Sequence, residues 1–216
     1  MEATVIIPAH NEEKHIQEVI QKVKKYTSKI IVVDDGSSDD TFNLAKQEKV
    51  TVLHNIINVG KGAALRTGCD YAFSRGAKSV IVLDADGQHD PNKIPEFLAK
   101  LKESDIVFGY RKFSENMPFV LRFGNWFINK TTFLLYHLNL NDTQCGYRAF
   151  TLSAYKKVRW YAPDYSMESE MISRAGKNKL TYSEVPIQTI YNDKYKGTTI
   201  IDGFKIVLKM FWWRLS

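Results

Sequence analysis

The sequence predicts a single α/β domain on a mostly parallel sheet with helices on both faces, plus an amphipathic C-terminal helix. Two observations carry this expectation. Short runs of β-branched residues alternate with stretches of helical periodicity, the order expected of a βαβ chain. Carboxylates and glycines gather just after those runs, where such sheets bind ligands. The length, 216 residues with 44% hydrophobic and 25% charged, suits one globular core without covalent staples.

The first apolar run, residues 4–7, stops at Pro8. Ile16, Val19, Ile20 and Val23 then recur at helical spacing and share one face. A second run, residues 30–33, ends in Asp34-Asp35-Gly36-Ser37-Ser38, and a helix through Phe42, Leu44 and Ala45 follows. A strand at 51–53, a helix from near Gly60 to Gly76, and strands at 80–83 and 105–108 complete the alternation. Residues 117–140 are aromatic and aliphatic, broken by Arg122, Asn125, Asn129 and Lys130. With no repeat or linker, the expected division is one domain over 1–197 and a helical appendage over 198–216.

A formal net charge of +6 favours anionic partners such as nucleotides, phospholipid headgroups or nucleic acid; the motifs below lead to the expectation of no nucleic acid. Cys69 and Cys145 fit neither a metal spacing nor a disulfide framework, which points to a reducing, cytoplasmic setting. The first residues carry no secretory pattern. No stretch reaches the roughly 18 to 20 apolar residues of a spanning helix, so a peripheral association is expected at any membrane.

Five motifs carry the chemistry. In Leu83-Asp84-Ala85-Asp86-Gly87-Gln88 two carboxylates and an amide oxygen follow a buried strand. Such hard oxygen ligands suit Mg²⁺ or Mn²⁺ bridging to a diphosphate; the alternative is turn formation, with Asp90 before Pro91 as a helix cap. Pro8-Ala9-His10-Asn11-Glu12-Glu13 offers a nucleotide a strand-to-helix turn, or simply begins a helix with acids. After the second strand, a carboxylate of Asp34-Asp35 can accept from a uracil or guanine ring N–H, or form a turn. Asn58-Val59-Gly60-Lys61-Gly62 resembles a phosphate-gripping loop without being a P-loop. Last, Asn141-Asp142-Thr143-Gln144-Cys145-Gly146-Tyr147-Arg148 precedes Glu168-Ser169-Glu170; Arg148 can hold a phosphate bidentately or pair with one of those glutamates.

Taken in order, these motifs resemble glycosyltransferase family 2, inverting enzymes of the GT-A (Rossmann-like) fold, and most nearly its dolichyl- or polyprenyl-phosphate mannose and glucose synthases. The resemblance implies a nucleotide-sugar site lined by Pro8, Ala9, His10, Glu12, Val33, Lys61, Ala85 and Arg111, with Asp35 reading the base. It implies that Asp84, Asp86 and Gln88 hold Mg²⁺ or Mn²⁺, that Asp84 also reaches the donor, and that Asp84, Asp86 and Arg148 are catalytic. Arg122, Arg148, Lys194 and Thr199 are the acceptor-phosphate candidates. In the mannose synthases the late loop carries Asp-Arg and then Gly-x-Ser-Lys-Leu; here it reads Asp193-Lys194 and Gly197-Thr198-Thr199-Ile200. Lysine for arginine loses the planar fork and keeps the charge.

The implied reaction moves mannose or glucose from a GDP- or UDP-sugar to a polyprenyl or dolichyl phosphate on the cytoplasmic face of a membrane. A phosphate monoester has a second pKa near 6 and needs no catalytic base to become a nucleophile. Phe119, Phe123, Phe127 and Leu134 with Arg122 and Lys130 suit an interfacial segment. So do Phe204, Leu208, Phe211, Trp212 and Trp213 with Lys205, Lys209 and Arg214; each stripe can equally be core. The alternatives are a family 2 enzyme with a soluble or other lipid acceptor, a sugar-phosphate nucleotidyltransferase, and a non-catalytic nucleotide-binding membrane adaptor. The residues after Pro8 lack the Gly-rich basic loop expected of the nucleotidyltransferase.

Overall fold

The computed structural model describes residues 3–111, 119–188 and 200–215. Strands β1 (Thr4–Ala9), β2 (Ile30–Asp35) and β4 (Ser79–Val82) are buried at every position. A strand covered on both faces must be apolar throughout, which explains their unbroken β-branched runs. β3 (Thr51–Asn55), β5 (Ile106–Arg111), β6 (Arg148–Thr151) and β7 (Tyr182–Ile187) complete one seven-stranded sheet of order β3-β2-β1-β4-β6-β5-β7. The sheet is parallel except at β6, which runs antiparallel to both β4 and β5.

Alternate side chains feed two cores. Val5 and Ile7 point to the layer holding α1 (Ile16–Lys24), whose Ile16, Val19, Ile20 and Val23 are all buried. Ile6 points to the other layer, with Ala64, Leu65 and Cys69 of α3 (Lys61–Ser74). α2 (Thr41–Gln47) and α4 (Ile94–Lys100) fill the crossovers after β2 and β4. α6 (Leu152–Val158) and α7 (Met167–Lys177) support the second half. The long helices α5 (Phe119–Tyr136) and α8 (Ile200–Leu215) pack on each other and on α7.

Each strand expected from the sequence is present. Periodicity revealed neither β6 nor β7, and the reversal of β6 decides the site. Parallel strands bring their carboxyl ends to one edge of the sheet, and an antiparallel neighbour brings its amino end there. With Val82 opposite Arg148, the segment before β6 arrives beside the carboxyl end of β4. That register carries the motif at 141–148 to Asp84.

The interfacial expectation divides by residue. On α5, Trp126, Phe127, Phe133 and Leu134 are exposed, whereas Ile128 and Tyr136 are core. On α8, Leu208, Phe211 and Trp212 are exposed, and Val207 and Met210 are buried. Trp213 departs from the expectation: it packs against the core, because it lies three residues beyond Met210 on the inward face. The side chains of Phe119, Arg122, Phe123 and Phe204 lie outside the described residues, as do Lys194 and Thr199 entirely. Among the described residues no helix is long and apolar enough to cross a membrane.

Candidate active site

The loops that leave β1 and β2 form one knot at the sheet's carboxyl edge. Asn11, in a left-handed conformation at φ 54°, accepts from the Ser38 N–H through Oδ1 and donates its own N–H to Ser37 Oγ. Glu12 N donates to Thr41 Oγ1 at 2.8 Å. The sequence allowed Asn11 to Glu13 to open a helix, but α1 begins at Ile16, and these residues instead bind the turn after β2. His10 is exposed, and its Nδ1 lies 2.9 Å from the Asp35 carbonyl. A carbonyl only accepts, so Nδ1 donates to it, and Nε2 lies 3.4 Å from Asn11 Nδ2.

Asp35 is placed differently from the expectation. Its carboxylate is buried and committed to the following loop: Oδ1 accepts from Asn55 Nδ2 at 2.8 Å and Val59 N at 3.0 Å, Oδ2 from Gly60 N at 2.9 Å. It therefore builds the turn that presents Lys61. Val33 is fully buried, paired to Pro8 and Leu53 on either side, and packed against α3 at Gly68. Pro8, Ala9 and Ala85 are likewise buried, so they shape the edge rather than reach from it.

Lys61 opens α3 and is the hub of the centre. Its Nζ lies 2.8 Å from Asp84 Oδ1 and 3.4 Å from Glu168 Oε1. Burial alone would lower the ammonium's pKa, but the Asp84 and Glu168 carboxylates outweigh it and hold Lys61 well above its ordinary value. Glu168, at the start of α7, shifts upward: burial dominates, against the opposing pull of Lys61 and Arg148. Its Oε2 has no hydrogen-bond partner among the described residues. Sequence reading treated Glu168 only as a partner for Arg148; its place beside Lys61 follows from α7 and is not written in any local pattern.

Two glycines let these loops meet. A Cβ on Gly62 would stand 2.4 Å from the Ala162 carbonyl, and one on Gly146 would stand 2.9 Å from Asp84 Oδ2 and 3.0 Å from Lys61 Nζ. The 160–166 segment closes over α3: Ala63 N donates to the Pro163 carbonyl, and the Trp160 indole donates to the Gly62 carbonyl at 2.7 Å. Trp160, fully buried, is thus part of the wall behind Lys61.

Asp86 and Gln88 lie half-buried on the turn after β4, where Gln88 N donates to Asp86 Oδ1 at 2.9 Å. Asp90 accepts from Asn92 N as an ordinary cap. His89 accepts the Asp84 N–H at Nδ1, which directs Nε2–H toward Asp84 Oδ2, 3.9 Å away. The donor set at this edge is two carboxylates and an amide. Among the described residues no trio of His, Cys, Asp or Glu forms a closed metal cage. Such an open, all-oxygen set fits Mg²⁺ or Mn²⁺, which draw their remaining ligands from phosphate and water.

Two arginines are held by neighbouring groups of the protein. Arg148 is 2% exposed, and its guanidinium donates to the carbonyls of Cys145, Thr143 and Glu168. Its fork is consumed in shaping the motif around it, so it does not present itself to an acceptor phosphate. Arg111, at the end of β5, grips Asp142 with Nε to Oδ2 at 2.6 Å and Nη2 to Oδ1 at 3.1 Å. It orders the 141–146 segment, rather than standing open to a donor phosphate.

Residues 4–159 match the family described as glycosyl transferase family 2. The chain belongs to that family. Among curated relatives of this glycosyltransferase is the UDP-N-acetylglucosamine–dolichyl-phosphate N-acetylglucosaminyltransferase of Methanococcus voltae, 36% identical with 95% of this chain and 93% of the relative covered. The polyprenol monophosphomannose synthase of Mycolicibacterium smegmatis is 29% identical, with 96% and 83% covered. Among solved structures, a glucosyl-3-phosphoglycerate synthase of Mycobacterium tuberculosis with Mn²⁺, UDP-glucose and phosphoglyceric acid matches at TM-score 0.77 and 17% identity. That match covers 98% of this chain and 79% of the other, and confirms the GT-A architecture.

Proposed function

We propose that this glycosyltransferase moves one sugar from a nucleoside diphosphate donor to a polyprenyl phosphate at a membrane surface, with inversion. The observation that carries the reading is the pairing of an Asp84–Lys61–Glu168 centre with exposed aromatic stripes on α5 and α8. The relatives named above support a lipid-phosphate acceptor. The solved neighbour binds a soluble phosphorylated acceptor; the exposed stripes favour the lipid here.

Asp84, Asp86 and Gln88 would hold Mg²⁺ or Mn²⁺, which supplies charge neutralisation for the departing diphosphate. Lys61 adds a fixed positive charge at the same edge, already oriented by Asp84, so little reorganisation accompanies the reaction. The base would meet the exposed His10, with Asp35 holding the loop behind it. Arg122, Lys194 and Thr199 remain the candidates for the acceptor phosphate. The acceptor needs alignment rather than deprotonation, because a phosphate monoester is anionic near neutrality. The 198–216 segment is the membrane-contacting appendage, peripheral and on the face where nucleotide sugars are made.

The sugar is the least constrained element. The sequence suggested mannose or glucose, and the Methanococcus voltae relative adds N-acetylglucosamine. Purified protein, Mg²⁺ and polyprenyl phosphate would be incubated separately with UDP-N-acetylglucosamine, UDP-glucose and GDP-mannose, and glycolipid read by mass spectrometry. One donor is expected to yield glycolipid, reduced at least 100-fold in Asp86→Ala, on the scale of losing about 3 kcal/mol of transition-state stabilisation. No glycolipid from any donor would refute the lipid-phosphate reading.

A further inference from the structure

The two helices with exposed aromatic stripes each carry a polar residue that turns inward. On α5 it is Asn129, whose Oδ1 accepts from Thr143 N at 3.2 Å and Thr143 Oγ1 at 2.9 Å. Its Nδ2 donates to the Asn141 carbonyl at 2.8 Å. On α8 it is Lys209, whose Nζ donates to Ser166 Oγ at 2.8 Å and lies 3.4 Å from Asp164 Oδ2.

These targets are the two walls of the centre. Residues 141–146 end at Gly146, pressed against Asp84 and Lys61. Residues 160–166 cross over Gly62 and carry Tyr165, with Lys61 Nζ 5.6 Å from its ring. Each apolar helix thus holds one wall by one side chain, a few bonds from the charged hub.

We propose that Asn129 and Lys209 are positioning residues that couple the seating of α5 and α8 on an anionic bilayer to the geometry around Lys61 and Asp84. The proposal rests on the membrane reading above. The bilayer is the occupant that suits the stripes, because Lys130 stands among the aromatics of α5 and Lys205 and Arg214 flank those of α8, all exposed. A helix moves as a rigid unit, so apolar anchoring of its outer face fixes its inner contacts. The Lys209 ion pair is half-exposed and adds little stability on its own, which separates positioning from folding.

The test is backbone hydrogen exchange in 141–146 and 160–166, with and without phosphatidylglycerol-containing vesicles. In the unsubstituted protein, vesicles should slow both segments about tenfold, within the usual range of coupling between sites. Lys209→Met should abolish the response at 160–166 while still sedimenting with vesicles and keeping its Tm. Lys209→Arg should restore it, and Asn129→Ala should abolish the response at 141–146. A response that persists in both Lys209→Met and Asn129→Ala overturns the proposal. So does a vesicle-bound unsubstituted protein with no response, or a protein that does not bind vesicles at all. Because exchange is read without turnover, a response without glycolipid would refute the proposed reaction and leave the coupling standing.

Discussion

Gly146 shows how closely the site depends on single atoms. One methyl there would press on the Asp84 carboxylate and the Lys61 ammonium at once. Gly146→Ala is expected to lower kcat at least tenfold while shifting Tm by only a few degrees, measured by single-donor turnover and thermal unfolding. Asp142 makes a second, opposite kind of prediction. Burial raises its pKa, but the charge and hydrogen bonds of Arg111 outweigh that and hold it below the ordinary carboxylate value. A depressed folded pKa gives stability that is complete above the unfolded value of about 3.9 and fades as pH falls through the folded one. Asp142→Asn is therefore expected to cost about 3 kcal/mol near neutrality, a difference that narrows below about pH 4 in denaturant titrations. A constant difference across that range would remove Arg111 as the cause. The sequence exposed the carboxylates because Asp84 and Asp86 sit in an unusual place, straight after a buried strand. It did not expose the use of Arg148, since the three carbonyls that hold its guanidinium come from turns that composition does not mark.

Among elements, β6 and the two apolar helices were the least legible. β6 has four residues, and nothing in Arg148–Thr151 distinguishes a reversed strand from a parallel one. The C-terminal helix was legible as amphipathic, and residues 117–140 only as an apolar stretch broken by polar residues; which aromatics faced inward was not legible: Trp212 and Trp213 are chemically alike, and only register against Met210 separates them. That division is testable. Leu208→Ser with Trp212→Ser removes exposed apolar surface and should weaken vesicle binding by about 10- to 100-fold with Tm unchanged, read by co-sedimentation. Met210→Ala, by contrast, empties a fully buried position and should cost about 2 to 4 kcal/mol. If the surface pair destabilised the fold as much as Met210→Ala, the stripe would be core and the membrane reading would fail.

Across the whole molecule, sheet topology converts five separated motifs into one centre. β1, β2, β3 and β4 deliver their following loops to the carboxyl edge, and the reversed β6 delivers the segment preceding it to the same place. The same edge adjoins the helices with exposed aromatics through Asn129 and Lys209. A centre so placed suits an acceptor whose head is a phosphate and whose tail stays in a bilayer.

In the proposed reaction the acceptor's own phosphate oxygen attacks the sugar, with no side chain acting as base. The direct measurement compares a prenyl phosphate with the matching prenyl alcohol in anionic vesicles, using the productive donor and Mg²⁺ and reading product mass and anomeric configuration. An inverted sugar phosphate lipid is expected from the phosphate, and no product from the alcohol. Comparable transfer to the alcohol would contradict that reaction, and would direct the search for a base to Glu168, the buried carboxylate beside Lys61.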